Sequence, residues 1–314
     1  VKRLLITGAD GFVGRWLTRE ALGEGWHVVA AVGPGGAPPS AWLASAEQAQ
    51  VTTVEADLTV PADLARVARE PVDAVIHLAG VASGAAALRD PAHAMAVNVS
   101  ASTGLVEALI RAGQHPRLLF VSTGEVYGGG YDTPIAESSP LRPVSPYAES
   151  KAAAEVALLA MGQFHHLDIV IARAFPHSGP GQDTRFVLPA FAARIHEAGI
   201  TGRHAVPVGN LDVIRDFLDV RDVVRAYLLL VARGEAGTAY NVSSGTGRHL
   251  EQCFARLAAL LGVPAVAVPD ASLVRSADIP VLIGDATRLH VATGWTPAIS
   301  FDQTLQDLVN AQAH

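Results

Sequence analysis

Residues 4–14 read Leu4-Leu5-Ile6-Thr7-Gly8-Ala9-Asp10-Gly11-Phe12-Val13-Gly14. An apolar, strand-like run ends in a turn with glycines at 8, 11 and 14, and a helix-like pattern over residues 12–22 follows. Gly8 permits the tight turn, Gly11 lets a phosphate approach the backbone, and Gly14 lets helix and strand pack closely. A dinucleotide pyrophosphate can then rest on the N–H groups that open the helix. Three glycines alone are a weak signal, but a strand before them and a helix after them give the required context. Gly8, Gly11, Phe12, Val13 and Gly14 are therefore candidate cofactor contacts.

Working outward, short β-rich runs alternate with helical patterns. Strands are expected over 3–7, 27–32, 51–55, 74–78, 118–122 and 169–173. Helices are expected over 12–22, 62–68, 95–112 and 146–161. Such alternation implies a parallel sheet covered on both faces, and the nearly all-apolar strands agree. After residue 173 the regularity fades. Residues 33–40 and 175–183 are rich in Gly and Pro and read as loops. Helices are expected over 185–199, 219–232 and 250–261, with a short strand over 264–268. The expected fold is α/β, a doubly wound parallel sheet over 1–174 with a smaller, mainly substrate-binding domain over 175–314. Segments near 206–240 are expected to return to the first domain.

The chain has 314 residues, half of them hydrophobic, and a mean hydropathy of +0.29, ample for a buried core. A net charge of −7 argues against nucleic-acid binding. The lone Cys253 reads as a small buried hydrophobe and fits a reducing compartment. No leader pattern is visible, no apolar run approaches a membrane span, and no metal-ligand pattern stands out. A cytoplasmic protein without membrane or nucleic-acid partners is expected.

The second strand ends Ala31-Val32-Gly33-Pro34, without the carboxylate that usually holds the ribose 2′-OH of NAD. NADP(H) is therefore favoured and NAD(H) is possible. No basic residue follows directly. Arg15 could reach around, or it could be an ordinary exposed helix residue. Asp57, before Leu58, either accepts from the adenine amino group or caps a helix. Leu78-Ala79-Gly80 ends the fourth strand with residues that let the backbone pass close to a cofactor. His77 reads as a packed strand histidine rather than a catalyst.

Residues 147–151 read Tyr-Ala-Glu-Ser-Lys. Tyr147 and Lys151, four apart on a helix, share a face. A cationic lysine favours phenolate, so Lys151 is expected to lower the pKa of Tyr147 while holding the nicotinamide ribose. Thr123, where the fifth strand ends, is the better candidate to polarise a substrate oxygen, and Ser122 the second. Glu125 reads as a general acid/base, a ligand for substrate hydroxyls or a solvated loop carboxylate.

Together these strings resemble the extended short-chain dehydrogenase/reductases of the NAD-dependent epimerase/dehydratase type. The resemblance includes Asn98 in Asn-Val-Ser-Ala-Ser-Thr-Gly, and implies a Rossmann-like domain and Thr123, Tyr147 and Lys151 as a catalytic triad. Val208-Gly209-Asn210-Leu211-Asp212, then Arg215-Asp216-Phe217-Leu218-Asp219-Val220-Arg221-Asp222, and Ile279–Asp285, resemble the GDP-sugar branch. That branch contains GDP-4-keto-6-deoxy-mannose reductases, which form GDP-rhamnose, and GDP-mannose 4,6-dehydratases. The turn Ala9-Asp10-Gly11-Phe12 and the chain length favour the reductase. The resemblance implies substrate contacts at Ser122, Thr123, Glu125, His177, Gln182, Val187, Arg215, Arg275 and Asp278. Arg215 would meet the phosphates or ribose, Arg275 would clamp the diphosphate, and Asp278 would hold the guanosine ribose. Pairing of Arg215 with Asp216 or Asp219 is the structural alternative.

One departure stands out. Proline occupies position 176, where the family carries a substrate-binding asparagine, so that contact is lost and His177 or Gln182 is left to substitute. Reduction of a 4-keto group on a nucleotide-linked 6-deoxy sugar leads. A 4,6-dehydratase or 4-epimerase with a tightly held cofactor follows, then a reductase of another carbonyl compound, then a non-catalytic nucleotide sensor. A homodimer is expected through the helices near 95–112 and 146–161, where Val156, Leu158, Leu159 and Met161 suggest a second apolar face.

Overall fold

The computed structural model describes residues 1–274 and 278–312. Six strands come first: β1 (Arg3–Thr7), β2 (His27–Val32), β3 (Val51–Glu55), β4 (Ala74–His77), β5 (Arg117–Thr123) and β6 (Ile169–Ala174). The helices among them are α1 (Phe12–Gly23), α2 (Ser45–Gln48), α3 (Pro61–Val67), α4 (Gly84–Arg89), α5 (Pro91–Met95), α6 (Ala101–Arg111) and α7 (Pro146–His165). The remainder comprises β7 (His177–Ser178), α8 (Val187–Thr201), β8 (Ala205–Val208), β9 (Ile214–Asp216), β10 (Leu218–Asp219) and α9 (Val220–Arg233). It continues through β11 (Ala239–Val242), β12 (Gly247–His249), α10 (Leu250–Leu261), β13 (Val266–Pro269), β14 (Val281–Leu282), α11 (Thr287–Thr293) and α12 (Phe301–Gln312).

One seven-stranded sheet runs in the order β3-β2-β1-β4-β5-β6-β11, each neighbouring pair parallel. This is the doubly wound order, reversing direction beside β1, where ligands of such sheets bind. Alternate side chains enter opposite cores, as strand geometry requires. Leu4 and Ile6 join α1 and α9 on one face, whereas Leu5 joins α3, α6 and α7 on the other. The expected fold class is thus the observed one. A third core gathers α8, α10 and α12 beside β8 and β13. Val126, Tyr127, Ile135, Phe175, Ile279 and Leu282 pack into a fourth, small cluster.

The return to the sheet is made by α9 and β11, while β8 pairs with β13 in the smaller body. Aspartates of the Arg215–Asp222 string knit the two together. Asp216 accepts from the backbone N–H groups of Ser244, Gly245 and Gly284, at 2.9, 2.9 and 3.3 Å. Asp219 accepts from Arg221 and Thr304, and Asp222 from the N–H groups of Ala298 and Ile299. All three are buried, so their satisfied lone pairs offset the cost of removing carboxylates from water.

The continuous helix expected over 95–112 is instead interrupted. Ala96–Ser100 forms a π-type turn between α5 and α6. One such turn re-aims a side chain without ending the helix, and Asn98 is the residue it re-aims. Among the described residues, no helix is long and apolar enough to cross a membrane, and no three His, Cys, Asp or Glu side chains gather as a metal site.

Candidate active site

A cleft of ≈ 1000 Å³ opens along the carboxyl edge of the sheet, with the glycine turn at one end and Tyr147 at the other. Gly8 has φ of +68°, a conformation that favours glycine. A Cβ on Gly14 would collide with the Gly8 carbonyl oxygen and lie 2.7 Å from Ala9 Cα. Gly11 is exposed at the N-cap of α1. Phe12, Val13, Asp57, Leu58, Leu78, Ala79 and Gly80 also line the cleft. Asp57 does not cap α3. Its Oδ1 accepts from the Thr59 N–H and hydroxyl at 2.9 and 2.6 Å, which turns the chain beneath the cleft.

The turn is latched to β4 by a buried relay. The Ala79 N–H donates to Thr7 Oγ1 (3.1 Å), which lies 2.6 Å from His77 Nδ1. His77 Nε2 lies 2.8 Å from Ser102 Oγ, which donates to the Asn98 carbonyl at 2.7 Å. With the last hydroxyl committed as donor, Nε2 carries the proton and Nδ1 accepts. Burial, with the Lys151 charge nearby, pushes the His77 pKa down to about 3. It is a neutral, packed histidine.

At the other end, Ser145 caps α7 by accepting from the Ala148 N–H, with Pro146 in the first turn. This fixes where the helix starts and so where Tyr147 and Lys151 project. Lys151 is buried and donates to the Val121 carbonyl at 2.8 Å, with Nζ 4.8 Å from the Phe120 ring centre. Burial pushes its pKa down to about 8, opposed by the Glu155 carboxylate. Tyr147 differs from the sequence expectation. Burial of its hydroxyl end pushes its pKa up, Glu125 adds to the rise, and a hydrogen bond with Thr123 opposes it. Desolvation outweighs the help that Lys151 was expected to give, and the phenol is held protonated.

The profile of the NAD dependent epimerase/dehydratase family matches residues 4–243. The chain belongs to that family. GDP-6-deoxy-D-mannose reductase from Pseudomonas aeruginosa is 36% identical over 313 residues, covering 98% of this chain and 96% of that protein. A dTDP-glucose 4,6-dehydratase from Streptomyces griseus is 29% identical over 94% of this chain and 89% of its own. The structure of RMD from Pseudomonas aeruginosa complexed with NADPH superposes with a TM-score of 0.85 at 35% identity. It covers 99% of this chain and 98% of that one.

Within this epimerase/dehydratase-family chain, the structure separates the sequence candidates. Thr123, Glu125, Tyr147, Lys151, His177, Val187 and Arg215 line the one cleft. Ser122 lies at its wall, but its hydroxyl donates to the buried Glu155. Glu155 is in turn held by Arg173 at 2.8 Å. Breaking one side of such a buried pair costs about 3–5 kcal/mol, so Ser122 belongs to the support behind the site. Asn98 is fully buried and does not line the cleft. Its Oδ1 accepts from the Val81 N–H and its Nδ2 donates to Ser150 Oγ, both at 2.8 Å. It therefore positions the loop after β4 against α7 rather than touching a cofactor.

Gln182 borders the cleft with its amide already engaged, donating to the His177 carbonyl at 3.0 Å and accepting from Ser178. These bonds close the loop, and the second N–H of the amide is left for a ligand in the cleft. His177 donates from Nδ1 to the Phe175 carbonyl and stacks 6.5 Å from Phe12, which leaves Nε2 as its acceptor. Asp278 does not line the cleft. It accepts from Arg215 at 3.1 Å and from Asn210 at 3.3 Å, so Arg215 forms an ion pair with Asp278. Arg275 lies outside the described residues. Sequence reasoning missed Trp42, Arg19 and Tyr227, all on the cleft wall. Trp42 sits in an irregular segment, and no spacing rule connects it to Arg15 and Arg19, whose guanidinium groups approach its ring at 5.8 and 5.7 Å.

Proposed function

We propose that this chain reduces the 4-keto group of a nucleotide-linked 4-keto-6-deoxy sugar with NADPH, converting GDP-4-keto-6-deoxy-mannose to GDP-rhamnose. The observation that carries the reading is that Tyr147, Thr123 and Lys151 share one cleft with the glycine turn, where burial favours the neutral phenol. The residues fit a dinucleotide: only glycine serves at 8 and 14, and the start of α1 opens into the cleft. When bound, the cofactor supplies hydride to the carbonyl carbon. Tyr147 gives its proton to the carbonyl oxygen, so the ketone becomes an alcohol and the phenolate recovers a proton from solvent. Thr123 orients that oxygen, and Lys151 stabilises the transient phenolate and holds the ribose.

The preference for NADPH is supported by the absence of a carboxylate at the end of β2 and by Arg15 and Arg19 around Trp42. The GDP-linked substrate is supported by the 36% identity to the Pseudomonas aeruginosa reductase. We divide the chain into a cofactor-binding unit over 1–174, joined by α9 and β11, and a substrate-binding unit drawn from 175–314. Work in the cytosol is supported by the single buried cysteine.

The test is loss of NADPH absorbance with GDP-4-keto-6-deoxy-mannose generated in place. Tyr147→Phe should lower kcat by about 10²–10⁴-fold with the Kd for NADPH little changed. A near wild-type kcat in that variant overturns the reading. The closeness of Glu125 to Tyr147 supports a second reading, a 4,6-dehydratase that recycles its cofactor. Turnover of a nucleotide hexose with no net NADPH consumed selects that one.

A further inference from the structure

Tyr227, on α9, is fully buried, and its hydroxyl has no hydrogen-bond partner among the described residues. Other buried side-chain atoms share that condition, on Thr18, Arg117, Asp168 and Ser243, but none of those residues lines the cleft. Tyr227 does line it, in company with Tyr147. The phenol of Tyr147 is near enough to raise the pKa of Tyr227 further, beyond the rise that burial causes. The hydroxyl therefore belongs to the reacting end of the cleft, not to the glycine turn.

The surroundings make the hydroxyl conspicuous. Around Tyr227, α9 buries Val223, Val224, Leu228, Leu230 and Val231 against the sheet. Phenylalanine would pack there equally well and leave no buried donor unpaired. A buried hydroxyl without a partner carries its desolvation cost with no return, so in a cleft built for a ligand the partner is to be sought on that ligand.

We propose that Tyr227 is a cofactor-binding residue whose Oη donates to the carboxamide of the nicotinamide ring. The inference rests on the dinucleotide reading above. At this end of a dinucleotide the hydrogen-bonding groups are the ribose hydroxyls and the carboxamide. Lys151 rises from α7, on one face of the sheet, and serves the ribose. Tyr227 rises from α9, on the opposite face, and meets the carboxamide. With the ring held from both faces, the carbon that gives hydride stays aligned with the carbonyl that Tyr147 protonates.

The experiment compares wild type with Tyr227→Phe in the cofactor-free protein, by calorimetry with NADPH and with 2′,5′-ADP, which lacks the nicotinamide. The Kd for NADPH is expected to rise about tenfold, the loss of roughly one hydrogen bond. The Kd for 2′,5′-ADP should be unchanged. The melting temperature of the cofactor-free variant should be no lower than that of wild type, because only an unpaired hydroxyl is removed. An NADPH Kd within about twofold of wild type overturns the proposal, as does equal weakening of both ligands. Failure of wild type itself to bind NADPH overturns the dinucleotide reading instead.

Discussion

Lys151 shows how far one buried charge governs the chemistry. Its side chain is almost fully enclosed, and burial favours the neutral amine, while Glu155 one helical turn further along α7 pulls back towards the ammonium. The balance leaves its pKa at about 8, below the ordinary lysine range. The ammonium is present below that pH and lost above it. In the proposed reduction the phenolate left on Tyr147 needs that positive charge, so kcat/KM should fall as pH rises through about 8. This profile reports the free enzyme. Lys151→Arg keeps its charge across the range and should lack that alkaline limb in whatever activity remains. A wild-type profile flat from pH 7 to 9.5, where roughly one decade of titration on each side should show, would separate Lys151 from the proton chemistry. Tyr147 and Lys151 were legible in sequence because an i, i+4 relation is local. The direction of the Tyr147 shift was not, because it is set by burial in the tertiary fold and by Glu125 and Thr123, which lie distant in sequence.

At the scale of elements, the glycine turn separates two roles that a motif runs together. At Gly14 an added Cβ meets the backbone of Gly8 and Ala9, atoms fixed by the strand and the turn. At Gly11 it meets only the Gly8 carbonyl oxygen, at 3.2 Å, with nothing else within 4 Å, and the residue lines the cleft where the proposed cofactor would bind. Gly14→Ala should therefore destabilise the fold by about 1–3 kcal/mol, the usual cost of overpacking, seen as a lower melting temperature without ligand. Gly11→Ala should melt close to wild type yet bind NADPH about tenfold more weakly. Equal melting temperatures for the two variants would show that helix–strand packing is not what position 14 protects. The early strands β1 and β2 fall where the sequence places them, because a doubly covered sheet demands continuous apolar runs, and the half-exposed edge strand β3 does so through its β-branched residues. The π-type turn was not legible, since one extra residue in a helical turn barely disturbs an apolar period. Neither was the three-stranded sheet β12-β9-β14, assembled from two- and three-residue strands distant in sequence, whose partners only the tertiary fold selects. Tyr227 belongs to the same class, a residue of an apolar helix pattern whose meeting with Tyr147 depends on two helices reaching one sheet edge from opposite faces.

For the whole molecule, the surface of α7 opposite its core face bears on assembly. The helix buries Ala148, Lys151, Ala154, Glu155 and Leu158 against the sheet. Leu158, expected on a second apolar face, is thus committed to the core, with Leu159 and Met161 partly buried beside it. Val156 is 65% exposed on the other side, and Met95, at the end of the adjoining α5, is 43% exposed. Such apolar side chains on two neighbouring helices are a surface that a twofold partner could cover, and we propose a homodimer there. Every group assigned to the reaction lies in a cleft formed by one chain, so dimerisation should support stability rather than complete the site. Light scattering at micromolar concentration should give about twice the 32.7 kDa chain mass. Val156→Asp, by placing a charge in the middle of that surface, should shift the mass to that of one chain while kcat stays within about twofold of wild type. A wild-type monomer would remove the dimer. A monomeric variant without turnover would mean that the partner chain reaches into the cleft or holds α7, and with it Tyr147 and Lys151, in place.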